Sequence, residues 1–363
     1  MHSFIVVAFL ISACGGDDKE GVVLPGNLQI QATVSESEPG KVSVSATATN
    51  TKYFSVDFGV SGSNFTSLDG NVDYTYTSSG TYTIQVNAHA TPNEFISGTT
   101  QVVIAISDGG VNDEGYSTPE DYAGYTLVWR DEFEGESLNT SNWTYEIGTG
   151  SNGWGNNELQ YYRAENTAVK DGFLTITAKK ESFSGSAYTS SRLVTKGKQE
   201  FQYGRIDIRA RLPKGQGVWP ALWMLGAKNP GVPWPACGEI DIMEKIGGPE
   251  HENKVYGTLH WDHNGSYAST GDKPPYVLPT GIFNDKFHVF SLVWDETNIK
   301  WYVDDVLFNN IDITPAGLSE FHDKFFFIFN VAVGGNWPGS PDASTVFPQQ
   351  MVVDYIRVFE AGE

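Results

Sequence analysis

The chain has 363 residues, more than one average domain, and sets 44 acidic side chains against 23 basic ones for a formal net charge of −21. That balance disfavours nucleic acid as a partner, because phosphate binding needs a basic footprint, and weighs more weakly against sulfated polysaccharides. Thirty-nine glycines with many Tyr, Thr and Val favour turns and strands over helices, and past the N-terminus no apolar segment is long enough to span a bilayer.

Residues 1–14 read as a secretion signal, since the short apolar run from Phe4 to Ala13 ends in small residues before Cys14. Ile11-Ser12-Ala13-Cys14 resembles a bacterial lipobox, which implies lipidation of Cys14; only His2 stands where a Lys or Arg usually precedes the run. An ordinary cleaved signal with an unmodified cysteine is the alternative. Residues 15–26 form a tether, whose Gly15-Gly16-Asp17-Asp18-Lys19-Glu20 resembles the export sequence of surface lipoproteins in Bacteroidota-type bacteria. The expectation is an exported protein, either an outer-membrane or cell-surface lipoprotein or a secreted one, that is lipid-anchored and does not span the membrane. With Cys14 so used, Cys237 has no disulfide partner and reads as a small buried residue, because no His–Cys constellation accompanies it.

Residues 27–106 alternate in the manner of strands at 28–31, 42–45, 54–58, 74–76, 82–86 and 102–106, with Gly and Ser turns between, and predict a β-sandwich. The stretch Tyr74 to Ile84 resembles PKD domains, immunoglobulin-like modules. It holds no clustered catalytic groups and no Trp to stack on a sugar, so a spacer role is expected. Residues 107–118 are polar and glycine-rich and read as a linker.

From 119 to 363 strands dominate again, enough for two packed antiparallel sheets, and an all-β jelly roll is the natural architecture. The apolar run Phe325 to Phe329 reads as buried between the sheets. All ten tryptophans lie from Trp129 onward. Aromatic faces serve as platforms for pyranose rings, so this part is where carbohydrate chemistry is expected, although most of these Trp would be core.

Within it, Glu239-Ile240-Asp241-Ile242-Met243-Glu244 places three carboxylates in an apolar stretch, where they are costly to keep without a task. The alternation puts Glu239 and Asp241 on one face of a strand. Glu244 falls five residues from Glu239, an odd number, and faces the other side unless Met243 sits in a β-bulge. With that bulge the Cα atoms lie ~13 Å apart, and inward-leaning side chains could approach the ~5–5.5 Å of a retaining glycosidase, against ~6.5–9.5 Å for an inverting one. Taken alone, the pattern also suits an edge strand with three solvated acids.

The flanks decide between these readings. Gly204 to Ala210, Gly217 to Leu225, Trp234-Pro235-Ala236-Cys237-Gly238 and Leu259-His260-Trp261 surround the acidic strand. With Trp129 to Phe133, Trp154 to Tyr161, Tyr188-Thr189-Ser190 and Val353 to Val358 they make the region Trp129 to Phe359 resemble glycoside hydrolase family 16, the laminarinases (endo-1,3-β-glucanases) within it above all. The resemblance implies a retaining two-glutamate mechanism with Glu239 as nucleophile, Glu244 as acid/base and Asp241 between them to share a proton. It implies cleft positions for Asn156, Arg205 and His260. Trp219 and Trp223, four apart on a strand, and Trp337 on a glycine-rich loop are candidate sugar platforms; core packing of one of the first two is the even alternative, and a structural role is the alternative for His260. No cofactor is expected for catalysis. The resemblance also implies a structural Ca²⁺, held by main-chain carbonyls near the start of the region and an aspartate near its end, at positions matching Glu132, Gly172 and Asp354.

The substrate expected is a laminarin-like β-1,3-glucan, acted on by a monomer. Mixed-linkage glucan, agarose or a carrageenan are the rival substrates, and a glucan-binding protein without chemistry is the rival from another class.

Overall fold

The structure, a computed structural model, describes residues 22–35, 40–60, 62–76, 80–104 and 111–362. Cys14, residues 1–14 and most of the tether lie outside them. The chain divides into two compact units, residues 1–111 and 112–363.

In the first unit a three-stranded sheet (Gly26–Val34, Lys41–Thr49, Asn71–Thr75) and a four-stranded one (Asn64–Ser67, Tyr53–Asp57, Gly80–Thr91, Glu94–Ile104) are antiparallel throughout. Their alternating apolar residues meet in one core that includes Val42, Val44, Val56, Ile84 and Val86. Tyr76 is buried there with its hydroxyl donating to the Phe58 carbonyl at 2.9 Å, which satisfies a polar atom that burial would otherwise strand. Asn64–Ser67 has one apolar residue, Phe65, whose ring meets Phe58 at 5.9 Å; a single residue shows no periodicity, and pairing with Tyr53–Asp57 holds the strand.

The second unit is built on two eight-stranded sheets. One runs from Thr167–Lys170 and Phe173–Ala178 through Gln349–Ala361, Gly204–Arg211, His288–Trp294 and Asn298–Val303 to Val306–Asp312, with Tyr125–Asp131 also on Gln349–Ala361. The other orders Tyr267–Ser269, Lys254–Asp262, Glu239–Glu244, Val218–Gly226, Phe325–Val333, Arg192–Val194 and Thr144–Tyr145, with Tyr276–Val277 added beside Lys254–Asp262. One apolar core holds them together and contains Leu222, Met224, Ile240, Phe290, Leu292, Trp294 and Trp301.

Two expectations change here. The boundary falls after Val111. Residues 112–118 are no free linker, because Arg209 bonds the Asp113 carboxylate and donates to the Tyr116 carbonyl, and Thr118 N donates to the Tyr355 hydroxyl at 2.8 Å. Second, Phe325–Val333 is buried on both faces, yet only alternate residues lie between the sheets: Phe325, Phe327, Phe329, Val331 and Val333 join the main core. Phe326 and Ile328 face the other way and pack with Val194, Trp223 and Leu225, on the side where Asn330 and Ala332 reach the cleft wall.

Candidate active site

The strand Glu239–Glu244 lies inside its sheet, with Val218–Gly226 on one side and Lys254–Asp262 on the other. Opposite Val218–Gly226 the register slips between Leu222 and Trp223: Met243 pairs with Leu222 and Asp241 with Trp223, which leaves Ile242 as the extra residue. The slip recurs against Lys254–Asp262 between Asp241 and Glu244. A bulge is therefore present one residue earlier than expected. It sends both Ile242 and Met243 into the core and returns Glu244 to the face of Glu239 and Asp241.

Three rows result. Glu239 has Leu225 and His260 beside it, Asp241 has Trp223 and Thr258, and Glu244 has Ala221 and Tyr256. All nine side chains line one cleft of about 680 Å³. Period-two spacing on the neighbouring strands supplies them, which is why Trp219 and Trp223 share the cleft with Ala221 and Leu225.

The carboxyl groups sit at the floor of this cleft. The Glu239 side chain keeps 17 % exposure and Asp241 only 3 %. Burial, then the neighbouring Asp241, pushes Glu239 up to about 8. Glu244 is pushed up to about 8 for the same two reasons, against a hydrogen bond from Trp219 Nε1 at 3.1 Å that favours its carboxylate. Burial raises Asp241 as well. Three such groups cannot all ionise cheaply side by side, so the charge on each depends on the others. His260 Nε2 stands 3.7 Å from Glu239 Oε1 and 3.0 Å from Asp241 Oδ2, and its Nδ1 is 2.8 Å from the Tyr267 hydroxyl. The contact with Asp241 is not in hydrogen-bonding direction, and Asp241 Oδ2 is buried with no hydrogen-bond partner among the described residues.

Aromatic groups flank the carboxylates at both ends. Trp337, 41 % exposed, meets Trp219 edge-on at 5.6 Å and Tyr256 at 5.0 Å on the Glu244 side. Trp234 and Tyr267 stand 5.4 Å apart on the Glu239 side. Trp223 donates from Nε1 to Asn330 Oδ1 at 2.8 Å. Asn156 lines the cleft, on a loop in which Asn152, Gly153, Trp154, Gly155 and Asn157 all have positive φ. A tryptophan at φ 53° is strained; in that conformation Trp154 reaches the cleft wall.

Of the expected cleft residues, Asn156, Trp219, Trp223, His260 and Trp337 are there, and Arg205 is not. Arg205 belongs to the opposite sheet, where its guanidinium pairs with Asp207 at 2.9 Å and Asp305 at 2.8 Å and lies over the Tyr122 ring. The cleft arginine is Arg192. It donates to Glu146 at 2.5 Å and covers the faces of Trp154 and Trp223 at 4.6 and 4.9 Å. Glu158, Trp234, Tyr256 and Asn330 also line the cleft; Tyr256 could have been found by counting back in twos from His260.

Of the three positions expected for calcium, Asp354 is the one that would bring its side chain. Its Oδ2 accepts from Arg209 at 2.6 Å. The Glu132 carboxylate is also taken, both oxygens accepting from Arg357 at 2.7 and 2.8 Å. Gly172 occupies a turn at φ 81°. The ligands expected of Glu132 and Gly172 are main-chain carbonyls, which these guanidinium contacts do not occupy, and Ca²⁺ here would share Asp354 with Arg209.

A two-sheet jelly roll whose one face carries a carboxylate triad between aromatic walls is the frame of a polysaccharide-processing protein. The chain belongs to the glycosyl hydrolases family 16, whose family model matches residues 155–357. A model for beta-glucan synthesis-associated proteins of the SKN1/KRE6/Sbg1 type matches residues 62–233. Glucan endo-1,3-beta-glucosidase A1 of Niallia circulans is 42 % identical over 68 % of this chain, which spans 40 % of that protein's length. Beta-glucanase of Rhodothermus marinus is 42 % identical over 65 % of this chain and 85 % of its own length. The laminarinase catalytic domain of Thermotoga maritima superposes with a TM-score of 0.61 at 46 % identity, over 66 % of this chain and 99 % of that domain.

Proposed function

We propose that the protein is an endo-1,3-β-glucanase that cleaves laminarin-like glucan with retention of anomeric configuration. The observation that carries this is the placement of Glu239 and Glu244, at the two ends of one bulged strand and facing one open cleft with Asp241 between them. The names of the Niallia and Thermotoga relatives support the β-1,3 linkage.

Glu239, in the row of His260, is the nucleophile: its carboxylate attacks the anomeric carbon while Glu244 gives its proton to the departing glycosidic oxygen. A glycosyl ester on Glu239 results. Glu244, now a carboxylate, takes a proton from water, whose oxygen attacks the same carbon and releases Glu239. Both glutamates begin with affinities for protons raised by burial, which suits Glu244 to hold a proton near neutrality. Asp241 takes up the proton shared with Glu239 as the ester forms and shares it again with Glu239 as the ester breaks. Trp219 Nε1 keeps Glu244 oriented in its charged half-cycle. The aromatic groups at either end of the acid row suit a chain that passes through the cleft, hence internal cleavage.

Release of reducing ends from laminarin, lichenan, agarose and carrageenan tests the reading. Laminarin should react fastest; turnover of agarose or carrageenan with none of laminarin would overturn it.

The proposal extends to the chain's setting. Export with lipidation at Cys14, outside the described residues, is supported by the Ile11-Ser12-Ala13-Cys14 string; acyl-labelled precursor in intact cells, lost in Cys14→Ser, checks it. The first unit serves as a spacer, and the protein acts as a monomer, which gel filtration of the soluble chain checks.

A further inference from the structure

The carboxylate row has one fully buried oxygen with no hydrogen-bond partner among the described residues. Asp241 Oδ2 is buried, its side chain 3 % exposed, and no donor reaches it among the described residues. It nonetheless stands 3.0 Å from His260 Nε2, and that nitrogen is 3.7 Å from Glu239 Oε1. One donor atom from each of Glu239, Asp241 and His260 lies within 4.8 Å of the others.

We propose that Glu239, Asp241 and His260 together form a binding site for a divalent transition ion of the Zn²⁺ or Cu²⁺ class, seated in the catalytic cleft. Zinc bonds of ~2.0–2.2 Å in tetrahedral array put ligand atoms roughly 3.3 Å apart, and 3.0 and 3.7 Å bracket that spacing. One imidazole and two carboxylates suit Zn²⁺, Cu²⁺ or Ni²⁺ better than Mg²⁺ or Ca²⁺. The orientation of the ring is already set for it. Tyr267 Oη lies 2.8 Å from Nδ1, so an Nδ1–H donated to that oxygen leaves a lone pair on Nε2, directed off the line to Asp241 as a shared ion between them requires; Tyr267 is an outer partner of the kind that fixes the tautomer of metal-bound histidines. Between a lone pair and an unpartnered carboxylate oxygen there is a place for a positive charge. The three donors leave the fourth position open toward the cleft, and an ion there would occupy the oxygen that the reaction needs on Glu239.

The test is calorimetric titration of the untagged full chain, stripped with chelator, with Zn²⁺. We expect saturable binding at one ion per chain, abolished in His260→Ala and in Asp241→Asn, and retained in His263→Ala, since His263 sits in the turn after Lys254–Asp262 and does not line the cleft. Tyr267→Phe should weaken it roughly tenfold to a hundredfold, the usual effect of losing an outer partner. The wild-type titration stands whether or not a variant folds: absence of stoichiometric binding means that a proton alone fills the gap and overturns the proposal. Binding undiminished in a folded His260→Ala does so too. Neither result touches the glucanase reading, because no substrate is present.

Discussion

Trp219 Nε1 donates to Glu244 Oε1 at 3.1 Å, so the aromatic wall and the proposed proton donor are in direct contact. The same indole meets Trp337 edge-on, which joins the reacting end of Glu244 to an exposed platform through two rings.

That contact separates the two tryptophans. Trp337→Ala removes an exposed face and should weaken binding of long laminari-oligosaccharides by about 1–3 kcal/mol with little change in melting temperature. Trp219→Ala should in addition raise the pH at which Glu244 deprotonates, since a donor to its carboxylate is lost. Steady-state kinetics against pH distinguish them; equal pH profiles would remove Trp219 from any role on Glu244.

Glu239 and Glu244 should fail in different ways. Glu239→Ser should abolish turnover while glucan still binds, because no ester can form. Glu244→Ala should still react slowly with substrates whose leaving groups need no protonation. NMR of the first product should show the β-anomer; an initial α-anomer would mean that the two carboxylates act by inversion.

The carboxylate cluster should make the fold less stable as pH rises. Glu239 and Glu244 hold protons up to about 8 in the folded chain, against an ordinary 4.5. Between those values the unfolded chain binds fewer protons than the folded one, so stability is full below about 4.5 and declines toward 8. Glu239→Gln should melt higher than wild type near pH 8, by about 2–4 °C for each kcal/mol regained, and should show a flatter dependence of melting temperature on pH. A melting temperature unaltered by the substitution at that pH would mean that the carboxyl is not under this strain.

The position of the unit boundary has its own test. A chain beginning at Asn112 should fold and retain activity on soluble oligosaccharides. One beginning at Pro119 loses Asp113 and Tyr116 as partners of the buried Arg209, and Thr118 as partner of Tyr355. Such buried unpaired donors cost about 1–3 kcal/mol each, so thermal melting should place the shorter chain clearly lower. Equal stability would show that residues 112–118 are a linker after all.

The acid strand could be read in the sequence because its signal is arithmetical: apolar and acidic residues alternate, and the odd offset of Glu244 requires a bulge. The bulge appears, with Ile242 as its extra residue, because two successive apolar side chains compete for the core and both are admitted. The run Phe325–Phe329 could not be resolved in the same way, since alternation is invisible when the face turned away from the main core also carries phenylalanine and isoleucine. Arg205 and Arg192 both stand on strands of the matching region. Which sheet each strand joins is a matter of long-range pairing, and no local pattern shows it.

Under selection, the bulge at Ile242 makes the acid strand tolerant of one change in length and intolerant of its opposite. Loss of the extra residue would leave Glu-Ile-Asp-Met-Glu, in which strict alternation by itself keeps all three acids on the cleft face. The core would give up one apolar side chain, and the number of pleats between the glutamates would not change. Gain of a further residue makes the offset even, so loss of the bulge would again keep both glutamates on the cleft face, but two more pleats, about 6.6 Å, would separate them. The spacing of the two glutamates can therefore absorb a single deletion without loss of the site, whereas an insertion satisfies parity only by drawing the carboxyl groups beyond the ~5–5.5 Å that retention requires.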